Sequence, residues 1–416
     1  MLTQLQNDLL TRTGRGTPGG QLLRCYWQPV ALTEELPVGG PPIPLRIMGE
    51  DLVLFRDEIG RPGLIGLRCP HRKADLSYGR LEGGGLRCVY HGWSFDIHGR
   101  CLEQPGEPRN SSYKDRIQHT AYPCQEVPGL VLAYLGDGTP PALPPFPFFS
   151  ASPENVWTKR MFHECNYLQG NEGNIDPQHL SFLHRVDMDS QISYGAYLAR
   201  DEAPEIQVDQ TNYGLRIETS RDIGEGKRYV RTTNFVMPNY SSFVGAPLVD
   251  PSVSRPDSND GYSLNWHVPI DDMTHMKFAI VYRISGPIDA KLQEGMIAQG
   301  LNSDFTGMRN RRNRYMQNRS EMKTGTFIGM GNNFYDHDRW VTESQGPIVD
   351  RTSENLGTTD RAIIGMRKMM LEAITALSEG RNPLFVYPSS DSYNLAEFFT
   401  GSRVELTNVQ EKSIVQ

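Results

Sequence analysis

The sequence predicts an α+β protein in two parts, a small antiparallel β domain followed by a larger antiparallel sheet covered by helices. Three features predict it. Short apolar runs separated by turn residues fill positions 22–137; a proline-rich stretch, Thr139-Pro-Pro-Ala-Leu-Pro-Pro-Phe-Pro147, follows; beyond it, strand-like runs lead into one long amphipathic helix. At 416 residues the chain has the length for two hydrophobic cores. The proline-rich connector is stiff and extended, which places the boundary near residue 150. The expected division is a helical segment over 1–25, a β domain over 26–150 and an α+β domain over 151–416.

In chain order, the first dozen residues read as a short polar helix stopped by Gly14-Arg-Gly-Thr-Pro-Gly-Gly20. Strands are expected at 43–48, 52–55, 64–67, 86–89 and 93–97, with a turn at 60–63. In the second part, 166–186 reads as largely helical, restarting at Pro177 with Asp176 as its N-cap. Further strands are expected at 214–219, 229–236, 262–268 and 276–284. The long helix is expected at 359–379, with Ile363, Met366, Met370, Ile374 and Leu377 on one stripe and Gly380 as its stop.

A formal charge of −7 argues against a nucleic-acid partner. Six cysteines without a disulfide-like spacing fit a reducing compartment. The N-terminus lacks the basic and apolar regions of a signal peptide, and no apolar run approaches the ~18–20 residues of a membrane span. A soluble, cytoplasmic protein is expected.

Two stretches carry the chemistry. In the first, Cys69-Pro70-His71 and Cys88-Val89-Tyr90-His91-Gly92-Trp93 each offer one thiolate and one imidazole, with sixteen residues between His71 and Cys88. Zinc ribbons usually group like ligands together. One of each per arm favours a 2Fe–2S cluster of the Rieske type, with Cys69 and Cys88 on one iron and His71 and His91 on the other; a zinc site is the alternative. In the second, Glu172-Gly-Asn-Ile-Asp176-Pro-Gln-His179-Leu-Ser-Phe-Leu-His184 supplies two histidines and nearby carboxylates, the material of a facial triad for non-haem Fe(II). On a straight α-helix His179 and His184 would lie about 140° apart, so sharing a metal requires a π-bulge or a helix break between them.

Cys-x-His-x16-Cys-x2-His followed by Asp-x2-His-x4-His resembles the Rieske non-haem iron oxygenases, the catalytic subunits of aromatic-ring-hydroxylating systems, over roughly residues 20–380. The stretches 19–30 and 346–351 resemble the branch around phthalate dioxygenase and dehydrodivanillate O-demethylase. The resemblance implies a Rieske domain ahead of a helix-grip, START-like catalytic domain. His179 and His184 would hold the iron. Asp338, first residue of a segment resembling the family's D-x-x-V-x-E-S-x-G-P-I-x-D-R, would be the third ligand, with Asp336 as runner-up. Asp176 would hydrogen-bond a ligand histidine and reach a Rieske histidine of the adjacent subunit, which implies a homotrimer or stacked hexamer. Glu172 would lie near the iron; its plain reading is a solvated helix carboxylate. Arg72, Tyr90 and Trp93 match the context of the cluster loops, with Tyr90 and Trp93 packed over the cluster. Family members often carry Gln before the ligand Asp. His337 departs from that, as a titratable group beside the iron or as an exposed loop histidine.

The implied activity is oxygen activation at Fe(II), fed through the cluster, to hydroxylate an aromatic substrate by dihydroxylation or by monooxygenation with O-demethylation. No G-x-G-x-x-G follows a strand, so a partner is expected to bring in the NAD(P)H electrons; the resemblance implies that it is a reductase carrying a flavin and a plant-type 2Fe–2S centre, with or without a ferredoxin. Arg231 is a candidate carboxylate clamp, or an exposed strand arginine. Glu205 stands where a basic residue is expected opposite phthalate, which argues against phthalate itself. His98, His119, His163, His267 and His275 match no ligand spacing and read as ordinary residues. A zinc-stabilised binding module and a non-catalytic Rieske electron carrier are the rival readings; each leaves the His179/His184 stretch unused.

Overall fold

The computed structural model describes residues 1–185, 197–198, 200–244, 259–289 and 300–407. Two helices open it, α1 (Gln4–Thr11) and α2 (Pro18–Arg24). The first helix stops before the glycine-rich run, as expected, and the end of that run starts the second. Thr17 caps α2 by accepting the Gly20 N–H, and Pro18 takes the first position, where no N–H is needed. A Cβ on Gly19 would stand 2.4 Å from the Leu9 carbonyl oxygen, and one on Gly20 2.2 Å from that of Gly14. Only glycine lets α2 close against the end of α1.

The strands that follow are β1 (Trp27–Leu32), β2 (Ile43–Ile47), β3 (Glu50–Arg56), β4 (Pro62–Gly66), β5 (Arg80–Glu82), β6 (Gly85–Arg87), β7 (Ser94–Phe95), β8 (Cys101–Glu103), β9 (Ala121–Tyr122), β10 (Cys124–Val127) and β11 (Leu130–Tyr134). They form antiparallel sheets in the orders β1-β11-β10, β2-β3-β4-β9 and β5-β6-β7-β8. The Cys88–His91 loop is the turn of the β6–β7 hairpin. The Cys69–His71 loop follows β4 and is closed by a single Arg68–Asp75 bridge rather than by a returning strand. A small core of Val53, Phe55, Ile65, Leu86 and Phe95 packs beneath both loops.

The proline-rich connector is not a free spacer. Phe146 and Phe148 are fully buried, and the Phe146 ring packs against Tyr240, Phe385 and Phe398. One core runs from α1 and β1 through these rings into the second part.

That part contains β12 (Val156–His163), α3 (Tyr167–Ile175), β13 (Glu205–Gln210), β14 (Gly214–Gly224), β15 (Lys227–Val236), β16 (Tyr240–Val244), β17 (Tyr262–Pro269), β18 (His275–Tyr282), α4 (Phe334–Ser344), α5 (Arg361–Ser378) and β19 (Gly401–Leu406). Among the described residues the sheet is antiparallel in the order β12-β18-β17-β16-β15-β14-β13, with β19 paired to β15. Every residue of β17 is buried, so this strand has no solvent face. Helix α3 lies against β15–β18, and α5 covers β13 and β14 with Ile363, Met366, Met370 and Ile374 inward.

The expected helix over 166–186 is shorter and broken. Asn166 caps α3, which ends at Ile175 with Asp176 as its C-cap in an extended conformation. Asp before Pro disfavours the helical region, and Pro177 brings no N–H to continue the ladder. Asp176 is therefore not the N-cap of a second α-helix. Its Oδ1 accepts the Gln178 N–H at 2.7 Å, and among the described residues up to Arg185 one 3-10 turn, His179–Ser181, follows. Val186 lies outside the described residues.

Candidate functional site

The two cluster loops are built alike. In each, the cysteine carbonyl accepts from the N–H four residues on (Lys73 to Cys69, Gly92 to Cys88), and the cysteine N–H donates five residues on (to Ala74, to Trp93). The fourth residue is left-handed in both, Lys73 at φ 62° and Gly92 at φ 76°. The sequence offset between Cys-x-His and Cys-x2-His thus disappears in a shared loop geometry. Cys69 and Cys88 are buried, while His71 and His91 are exposed, their ring centroids 4.6 Å apart. Trp93 stacks on His71 at 4.6 Å, Tyr90 packs on His91 at 3.8 Å, and Arg72 lies over Tyr90. Burial pushes the Cys69 thiol up to about 11, against backbone N–H groups of His71 and Arg72 that aim at its sulfur. Two buried thiols side by side need a cationic centre to hold them as thiolates, which fits an iron–sulfur cluster.

The second site joins α3's end to α4. The helix break after Ile175 removes the geometric objection to His179 and His184: their ring centroids stand 5.0 Å apart at 75°. Asp338, on α4, puts Oδ1 3.0 Å from His184 Nε2 and 3.9 Å from His179 Nε2. One ligand atom from each of the three residues lies within 4.8 Å of the others. Two donors each about 2.1 Å from one octahedral metal and at right angles stand about 3.0 Å apart, so the His184–Asp338 contact fits a shared ion. Burial, reinforced by His184, lowers His179 to about 3, which keeps it a neutral, lone-pair donor. Burial alone would raise Asp338, but His184, Lys277 and His179 outweigh it and hold the carboxyl well below its usual range.

The residues around Asp338 on α4 diverge, and that divergence separates it from Asp336. Asp336 turns away, to Arg339 at 2.8 Å and Arg309 at 3.8 Å. His337 is not an exposed loop histidine: it is fully buried on α4, with Nδ1 3.2 Å from His184 Nδ1 and Nε2 2.7 Å from the Gly331 carbonyl oxygen. Burial and the neighbouring His184 lower it to about 4. Asp176 meets His179 through its main chain. Its carbonyl oxygen accepts from His179 Nδ1 at 2.5 Å, whereas its carboxylate Oδ2 stands 3.8 Å away. Burial raises the Asp176 carboxyl to about 6.

Glu172 is neither solvated nor in the cavity beside the triad. Its carboxylate is buried between Arg351 (2.7 Å) and Arg367 (2.6 Å), a brace tying α3 to α5 and to the segment after α4. Glu343, buried near the end of α4, is likewise structural: its carboxylate accepts the Glu164 N–H and the Tyr315 hydroxyl.

Some residues were hidden from sequence reasoning. Lys277 is buried on β18, 3.7 Å from Asp338 Oδ2 and over the Tyr335 ring. Burial lowers it to about 8. A lone lysine inside Met-Lys-Phe-Ala-Ile-Val-Tyr was its only signal. His267 and His275, read as ordinary, form a buried chain: His267 Nδ1 lies 3.0 Å from His275 Nε2, and His275 Nδ1 lies 2.7 Å from the Cys165 carbonyl oxygen. His163 stacks on His275 at 4.7 Å.

A mostly apolar cavity of ≈ 220 Å³ opens beside His179, His184 and Asp338, lined further by Ile217, Phe243, Phe334 and Arg231. Arg231 is buried on β15 opposite Thr219 of β14, so it is not an exposed strand arginine. Glu205 is on the outer strand β13, paired with Arg228 at 2.6 Å, and does not line this cavity; its charge says nothing about the substrate.

Residues 26–119 match the Rieske [2Fe-2S] domain and residues 133–395 the "LigXa C-terminal domain like" family. The chain is 36% identical to the phthalate 4,5-dioxygenase oxygenase subunit of Pseudomonas putida, with 92% of this chain and 89% of that protein covered. It is 33% identical to the 5,5'-dehydrodivanillate O-demethylase oxygenase subunit of a Sphingobium species, covering 92% and 83%. Among solved structures, the QL mutant of Pseudomonas putida CBB5 NdmA with caffeine shares the fold at TM-score 0.62 and 20% identity, covering 94% of this chain and 98% of that one. The oxygenase–ferredoxin complex of carbazole 1,9a-dioxygenase shares it at 0.56 and 21%, covering 87% and 90%. A zinc module or a bare electron carrier would account for the first half alone, and neither is supported. Among the described residues no helix is long and apolar enough to cross a membrane. Because one chain carries both domains and matches oxygenase subunits along most of their length, it belongs to the Rieske non-haem iron oxygenases, a family of oxidoreductases, in the branch of phthalate dioxygenase and dehydrodivanillate O-demethylase.

Proposed function

We propose that this oxygenase hydroxylates a small aromatic acid, with Arg231 holding the carboxylate and the ring lying in the apolar cavity against His179, His184 and Asp338. The observation that carries the reading is a buried arginine in a mostly apolar cavity that also contains the three-ligand cluster. Arg pairs with a carboxylate through two parallel hydrogen bonds, which fixes orientation as well as charge. Relatives named for phthalate and 3-chlorobenzoate support the substrate class. The product is a cis-diol, or a hydroxylated methoxy carbon that breaks down to a phenol and formaldehyde.

Cys69 and Cys88 hold one cluster iron and His71 and His91 the other; His179, His184 and Asp338 hold the mononuclear iron. Bound there, the iron supplies open positions for dioxygen and the cluster supplies single electrons. The chain's own residues orient and exclude. Tyr90 and Trp93 cover the cluster histidines, Phe334 stacks on His184 at 4.5 Å, and the carbonyl of Asp176 fixes the His179 ring. The Asp176 carboxylate is left to reach a neighbouring subunit's cluster histidine. The exposed His71 and His91 edges support such docking, in a homotrimer or stacked hexamer. The oxygenase is cytoplasmic, and a reductase with a flavin and a plant-type 2Fe–2S centre, with or without a ferredoxin, supplies the electrons from NAD(P)H. The domains divide at 1–25, 26–150 and 151–416.

The test is R231M against wild type, with a panel of aromatic acids and their neutral amides, measuring product and oxygen uptake. Losing a charge-assisted pair costs about 2–4 kcal/mol, roughly 30- to 1000-fold in KM for the acids. The amides are expected to change little. Equal KM values for acids in both proteins would remove Arg231 from substrate binding.

A further inference from the structure

His337 and His184 face each other through like atoms, and with both rings neutral and a metal shared by His184 Nε2 and Asp338 Oδ1, only one arrangement of hydrogens satisfies both. The Gly331 carbonyl oxygen, 2.7 Å from His337 Nε2, can only accept, so His337 carries its proton on Nε2. In the neutral ring Nδ1 is then a lone pair. The 3.2 Å contact between the two Nδ1 atoms draws its hydrogen from His184. His184 therefore donates from Nδ1 and turns Nε2 toward Asp338 Oδ1, 3.0 Å away. The reverse arrangement would set the His337 Nε2 lone pair against a carbonyl oxygen in a site closed to water.

We propose that His337 is a positioning residue for the mononuclear iron: it accepts the Nδ1–H of His184 and thereby fixes both the tautomer and the plane of the ring whose Nε2 faces the metal. The inference rests on the reading of His184 as an iron ligand. Ligand histidines ordinarily give this hydrogen to a carbonyl or carboxylate, and loss of that partner weakens the site. Here a second imidazole takes the place, anchored at its far nitrogen by the turn that leads into α4. Because His337 precedes Asp338 in the chain, one helical turn aims a ligand at the metal and the partner of another ligand at the same time.

The test uses enzyme that keeps its cluster but has lost mononuclear iron to a chelator. It is dialysed against buffered Fe(II) or Co(II), and bound metal is counted per chain. H337M keeps the side-chain length and removes the acceptor; H337Q offers an amide oxygen to His184 and an amide N–H to Gly331. The cluster EPR signal reports folding in both. H337M is expected to raise the metal Kd about 10- to 100-fold, with H337Q within about threefold of wild type. Wild-type affinity in H337M, or equal weakening in both variants, overturns the proposal. If H337M does not fold, H337Q decides: near-wild-type affinity supports the acceptor role and a tenfold loss or more contradicts it. H184A is run in parallel. Undiminished metal binding there overturns the metal-site reading itself, whereas weak binding in H184A with wild-type affinity in H337M overturns only the role of His337.

Discussion

Asp176 divides its work between main chain and side chain, and the two parts can be tested apart. Its carbonyl accepts from the His179 ring, and its carboxylate accepts main-chain N–H groups at the start of the turn, the Gln178 N–H at 2.7 Å among them. D176N keeps the carbonyl and a capping oxygen. Mononuclear iron content is expected to stay at the wild-type value, while oxidation of the reduced cluster in a single turnover slows by about 10- to 100-fold, the usual size of losing a supporting carboxylate. A variant that loses the iron instead would show that the carboxylate, not the carbonyl, supports His179. At this scale the sequence was informative wherever the ligands share a short stretch. Cys69 to His91 and His179 to His184 are readable because spacing alone brings their donors together once the loops form. Lys277 is not, since it reaches the site from a strand far from the motif and only packing brings it there; His337 was readable as a titratable group beside Asp338, but its contact with His184 comes only with packing.

The elements are held in place by buried ion pairs as much as by apolar stripes. Glu172 of α3, Arg351 and Arg367 of α5 form one such brace, closed by Glu354 against Arg367. Burial would raise the Glu172 carboxyl, but the two guanidinium groups outweigh it and hold it below its usual value. A depressed carboxylate stabilises the fold above its unfolded-state pKa, and that stabilisation is lost as pH falls through the folded value. E172Q leaves Arg351 without its charge partner and is expected to cost about 3–5 kcal/mol near neutral pH. Calorimetry should show the wild-type melting temperature above that of E172Q by a constant margin above about pH 5, narrowing below it. A margin that does not depend on pH would mean that the brace acts by shape rather than charge. Long amphipathic helices such as α5 were readable in sequence because their stripe is set by local periodicity. Helix α2 was not, because Gly19 and Gly20 serve a contact with α1 that composition presents as a stop. The break after Ile175 was half legible: Asp-Pro marked a boundary, and only the structure shows that a 3-10 turn, His179–Ser181, comes next.

At the scale of the whole molecule, His71 and His91 are exposed in the single chain, and Asp176 remains partly accessible beside His179. An enzyme that passes electrons between these surfaces needs them covered by a neighbour. Sedimentation should give a mass about three times the 46.9 kDa chain, or a multiple of that. A monomer that turns over at full rate would contradict transfer between subunits. The central claim is that one chain carries two distinct iron sites, and metal counting tests it most directly. Anaerobically purified wild type and D338A are compared for iron, inorganic sulfide and the EPR spectrum after dithionite reduction. The prediction is about three irons and two sulfides per chain in the wild type, and about two of each in D338A with an unchanged cluster signal. Equal iron in the two proteins, or zinc in place of iron and sulfide, would contradict it.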